Sequence, residues 1–120
     1  MKPEDADLPD RVRAHLASLM PAQVPITYRD LANALGLRPP HTIHRLTLAL
    51  EATMHEDVAA GHPLVAALVI SKTGGGLPQE GFFELAATLG RLPAEPGAAV
   101  AAYRREFDAA VRHYLAAGSP

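Results

Sequence analysis

The chain has 120 residues, enough for one compact core but too few for a catalytic domain joined to a regulatory one. Hydrophobic residues make up 48% and charged residues 20%, which excludes the low-hydrophobicity signature of disorder. The absence of cysteine excludes a disulfide framework, a cysteine-based zinc or iron–sulfur site and any thiol nucleophile, and a formal charge of −2 excludes a uniformly basic nucleic-acid coat.

The charged start, Met-Lys-Pro-Glu-Asp-Ala-Asp, has no apolar leader core, and no run approaches the ~20 apolar residues that span a bilayer. A cytoplasmic protein with no membrane partner is the expectation. Asp7 or Asp10 caps a first helix over about residues 9–20, with Leu8, Val12, Leu16 and Leu19 at helical spacing, and Pro21 stops it. Val24 to Tyr28 is short and carries a proline, which suits a small edge strand. Thr27 with Asp30 three residues on has the spacing of a capping box, so a second helix begins near Tyr28, runs through Leu31, Ala32 and Leu35, and ends at Gly36. After a turn through Pro40, a third helix starts near His41 with Ile43, Leu46, Leu50 and Met54 on its buried face. Short helix, glycine turn and longer helix is the pattern of a helix-turn-helix, although any helical hairpin has it too.

Residues 51–57 read as a helix end or a short extra helix, and Gly61 and Pro63 bracket a turn before Leu64 to Ile70, an apolar run expected to be a strand. Lys72 to Pro78 is turn chemistry. Gly81 to Phe83 either returns as an antiparallel strand, making a β-hairpin wing, or opens a helix reaching Leu89. Residues 93–97 read as a linker to a last helix over about 98–117, with Val100, Tyr103, Phe107, Val111 and Tyr114 on one face for the core or for a second copy of the chain. Leu68, Ile70 and Ile26 join the helical stripes in one core. The expected fold class is α+β, mostly helical, over residues 1–120 as a single domain.

Residues 25–83 carry a resemblance. Pro-Ile-Thr-Tyr-Arg-Asp-Leu-Ala-Asn-Ala-Leu-Gly, a helix, then Gly-His-Pro-Leu-Val-Ala-Ala-Leu-Val-Ile-Ser-Lys-Thr-Gly-Gly-Gly resembles the winged-helix DNA-binding domain of alkylguanine-DNA alkyltransferases and alkyltransferase-like proteins. The resemblance implies a winged helix whose third helix faces DNA. The family's Pro-Cys-His-Arg-Val run is absent, because Leu64, Val65 and Ala66 follow Pro63, so alkyl transfer to a thiol is excluded. The arginine those proteins insert into the duplex corresponds in position to His44 or Arg45. The segment from Leu68 to Phe83 is also similar to bacterial winged-helix-like proteins that bring no activity with them.

Charge placement bears on the DNA reading. Over residues 22–50, Arg29, Arg38 and Arg45 face Asp30 alone, whereas over 51–96 Glu51, Glu56, Asp57, Glu80, Glu84 and Glu95 outnumber Lys72 and Arg91. The candidate DNA-binding residues are Arg29, Arg38, His41, Thr42, Arg45 and Lys72, the last at the base of the wing. Arg38, His41, Thr42 and Arg45 share a helix face opposite Ile43, Leu46 and Leu50. A merely solvated face fits the same residues. His41/His44 and His55-Glu56 lack the spacing of a zinc site, Glu51, Glu56 and Asp57 lack a nuclease pattern around them, and the glycines at 74–76 lack the Lys-Ser/Thr of a P-loop. No metal, cofactor or catalytic residue is therefore expected. The candidate partners are double-stranded DNA, a second copy of the chain, or a protein gripped by Leu77, Phe82 and Phe83 around the glycine loop.

Overall fold

Leu8, Val12 and Leu16 are spaced to fall on one side of a helix, and all three are fully buried along α1 (Leu8–Ala17), which packs on the longer α3 (Thr42–Ala60). The structure, a computed structural model, describes residues 5–115. A 3₁₀ turn at Pro21–Gln23 leads to β1 (Ile26–Thr27) and α2 (Tyr28–Ala34). Thr27 caps α2 as its spacing to Asp30 implies, its Oγ1 accepting a hydrogen bond from the Asp30 amide at 3.1 Å. Gly36, at φ +69°, closes α2 in the left-handed conformation that a side chain resists, and the Leu37 amide returns to the carbonyl of Ala32 at 3.1 Å.

α3 absorbs residues 51–57 into one continuous helix, so no separate short helix follows it. Its buried stripe is Leu46, Ala49, Leu50, Thr53, Met54 and Asp57. Ile43, expected in this stripe, is 36% exposed because it sits in the first turn, where the helix runs past its cover. Leu31 and Ala32 from α2, and Leu35 at its C-cap, are buried with Leu46, Leu50 and Leu68, while Ile26 and Ile70 lie half-buried at the edge of the same core.

The run from Leu64 departs from expectation. Val65–Leu68 is a 3₁₀ turn, and only Val69–Ile70 forms a strand, β2. Every residue from Leu64 to Val69 is buried, because the segment threads the centre of the domain between α3 and α5 (Pro96–Tyr114). A segment apolar on all sides has no period, and length and flanking residues alone do not separate strand from turn. The β-hairpin is likewise corrected: β1 and β2 pair in parallel, Ile26 with Val69 and Thr27 with Ile70, with α2 and α3 as the crossover. The Ser71 amide donates to the Leu77 carbonyl at 2.8 Å, closing the glycine loop on itself, and residues 81–83 belong to α4 (Glu80–Thr88) instead of a returning strand. Gly75 and Gly76 at φ +66° and +83° permit that tight loop, and a Cβ on Gly74 would meet the Leu77 carbonyl oxygen at 3.2 Å.

Residues 93–97 are an exposed connection as far as Pro96, where α5 begins two residues earlier than expected; α5 ends at Tyr114, and positions 116–117 of the expected helix lie outside the described residues. Tyr103 is buried, donating from its hydroxyl to the Ala67 carbonyl at 2.8 Å, while Val100, Phe107, Val111 and Tyr114 are half-buried. The stripe on α5 thus serves the core. Among the described residues no helix is long and apolar enough to cross a membrane.

Candidate nucleic-acid interface

Arg38 and Arg45, with His41 and His44, lie at the corner between α2 and α3. From Leu31 to Leu50 the chain contains no carboxylate. Arg38, His41 and His44 are exposed there, and Thr42 is half-buried. His41 takes a left-handed conformation, φ +59°, at the residue before α3, which turns the chain sharply into the helix. Arg11, which sequence spacing gave no reason to single out, reaches from the exposed side of α1 and donates to the carbonyl of Leu35 just past the end of α2. Only the tertiary fold reveals that this cation lies beside the corner.

Arg45 belongs to the same corner but is occupied. Its Nε and Nη2 donate to the two carboxylate oxygens of Asp5 at 2.9 and 2.7 Å, and its Nη1 donates to the Arg38 carbonyl at 2.9 Å. The Arg45 side chain is only 17% exposed and Asp5 is buried, so this bidentate pair closes the corner internally. The expectation that Arg45 stands on a free face is corrected by that pairing.

Arg29 and Lys72 are exposed at a second place. The parallel register sets Thr27 beside Ile70, so the chain leaves both strands from the same end, Arg29 two residues after one and Lys72 two residues after the other. The Gln79 amide donates to the Tyr28 hydroxyl at 3.1 Å and ties the end of the glycine loop to the start of α2. Burial raises the pKa of Tyr28, against the opposing effect of that backbone bond. Arg29 sits in the first turn of α2 and Arg38 lies just past the end of that helix, so most of its roughly 10 Å length lies between the two places.

A separate polar cluster surrounds Asp57, which is 1% exposed. Its Oδ1 accepts from Arg13 at 2.8 Å and lies 2.9 Å from the Tyr114 hydroxyl, and its Oδ2 accepts from the Val65 amide at 2.9 Å. Arg13 also pairs with exposed Glu56 at 2.9 Å. Burial pulls the Arg13 guanidinium down, but Glu56 and Asp57 together outweigh it and raise its pKa. Both oxygens of Asp57 are committed to protein groups, and among the described residues no group of three or more His, Asp or Glu could hold a metal ion. The cluster joins α1, α3, the central segment and α5, which is a structural task.

Tyr114 gives that cluster an alkaline signature. Burial, then its hydrogen bond to Asp57 and that residue's charge, push the phenol from 10.0 up to about 12. A raised phenol favours the neutral form in the folded state, so its stabilisation is complete below pH 10 and lost as pH rises through about 12. In urea unfolding at stepped pH, the stability gap between wild type and Tyr114→Phe is expected to narrow across that window. An unchanged gap at both ends would contradict the role given to Tyr114.

Phe82 and Phe83 do not form a shared exposed patch. Phe82 is 6% exposed and stacks edge-on against Tyr103 at 5.9 Å, so it belongs to the core. Phe83 is half-buried, 5.8 Å from the same ring. Comparisons of the chain with protein families, with curated proteins and with solved structures found no match.

Proposed function

We propose that this protein is a non-catalytic DNA-binding domain of helix-turn-helix type, with the α2–α3 corner against the duplex and the closed glycine loop standing where a winged helix has its hairpin. The observation that carries the reading is the carboxylate-free stretch from Leu31 to Leu50, whose exposed Arg38, His41 and His44 are joined by Arg11 from α1. Two helices joined by a glycine turn are the arrangement that sets a second helix into a groove, and the resemblance to alkyltransferase DNA-binding domains agrees with it. Arg29 and Lys72 at the sheet end supply outer phosphate contacts. With Arg45 held by Asp5, it steadies the corner instead of touching phosphate.

About four cationic contacts give weak, strongly salt-dependent binding, because each neutralised phosphate contributes about 0.9 to the log–log slope. Fluorescence anisotropy of labelled duplex across a salt series is expected to give a slope of about −3 to −4, and Arg29→Ala with Arg38→Ala to flatten it by about two. Binding that ignores salt, or that survives the double substitution unchanged, would overturn the reading.

A further inference from the structure

Between α4, the glycine loop and the start of α5 lies a cleft of about 640 Å³. Leu77, Phe83, Ala99 and Val100 contribute apolar walls, and the ionisable residues lining it are Glu80 and Glu84. These two glutamates are one turn apart on α4 and exposed, and neither has an ion-pair partner among the described residues. Among the described residues no basic side chain lines the cleft, so the charge at its edge is negative over an apolar floor.

We propose that this cleft binds an amphiphilic organic cation, an apolar body carrying an ammonium group. The volume falls within the roughly 300–1,000 Å³ typical of small-molecule sites, and a few polar groups at the edge of an apolar cavity are what orient such ligands. The ligand's body would cover Phe83 and Val100 while its ammonium meets Glu80 and Glu84. An anionic ligand of the same shape would face two unpaired carboxylates and be rejected. The reason Phe83 remains partly open while Phe82 is buried is then its place in this wall. The site is independent of the DNA reading, since neither glutamate lies at the α2–α3 corner.

Three probes with one apolar body test the proposal: 2-naphthylmethylamine, 2-naphthalenemethanol and 2-naphthoate, titrated into the full chain and followed by amide chemical shifts of Phe83 and Val100. The amine is expected to bind about tenfold more tightly than the alcohol, from attraction to two carboxylates at a partly solvated edge, with the carboxylate weakest. Glu80→Gln with Glu84→Gln is expected to bring the amine to the alcohol's affinity and leave the alcohol unchanged; both positions are exposed, so folding is not at stake. A nonapeptide of alternating leucine and lysine serves as the fourth arm. Saturation by that peptide alone, equal binding of amine and carboxylate, or no saturable shift with any probe each overturns the proposal.

Discussion

Asp57→Ala is expected to cost about 3 kcal/mol, because it breaks the ion pair to Arg13, which keeps only Glu56, and leaves the buried Val65 amide without its acceptor. Arg13 would lose its buried partner, the Val65 amide would lose its acceptor in the middle of the core, and Tyr114 would keep only the Pro63 carbonyl at 2.6 Å. The loss is a large part of the roughly 5–15 kcal/mol that holds a typical domain together, so the variant could fail to accumulate folded. Asp57→Asn keeps the shape and one acceptor oxygen, and its expected cost is about 1.5–3 kcal/mol, the range of a hydrogen bond to a charged group. Glu56→Gln, at an exposed position that also meets Arg13, should cost no more than ~1 kcal/mol. Chemical denaturation of the three variants checks the ranking. Equal effects at positions 56 and 57 would mean that the Arg13 charge is satisfied by solvent and that Asp57 does not join the helices.

The parts of this fold that were legible in the sequence are local. Thr27 and Asp30 state a helix start within four residues, Gly36 states its end, and the spacing of Leu8, Val12 and Leu16 states which side of α1 is buried. What escaped depends on partners far along the chain. Asp57 resembles any acidic residue late in a helix until Arg13 and Tyr114, 44 and 57 residues away, are brought to it. Arg45 looks like a free cation until Asp5 arrives from 40 residues upstream. The glycine loop was legible as a turn, but its direction was not. Whether the chain returns as a strand or moves on into α4 depends on Ser71 and Leu77 pairing across the loop and on Tyr103 receiving Phe82 and Phe83. The proposed DNA corner was visible as a charge bias, whereas Arg11, its added cation, was not.

Arg45→Ala separates the two tasks that meet at this corner. With the guanidinium gone, Asp5 keeps its buried position but loses both charge-assisted bonds, and the Arg38 carbonyl loses its donor. The expected cost is about 3 kcal/mol, the low end for breaking a buried pair, since the Arg45 side chain retains 17% exposure. Arg45→Lys should fall between wild type and alanine, because an ammonium keeps the charge but cannot reproduce the planar two-bond contact to the carboxylate. Arg38→Ala removes an exposed side chain whose carbonyl, not its guanidinium, serves the fold, and is expected to change stability by no more than about 0.5 kcal/mol. In duplex binding the order reverses. At a temperature where every variant is folded, Arg38→Ala should flatten the salt dependence by about one unit while Arg45→Ala leaves the slope near wild type. If Arg45→Ala instead folds as stably as wild type and loses the salt slope, the pair with Asp5 opens in solution, and Arg45 returns to the phosphate-contacting set.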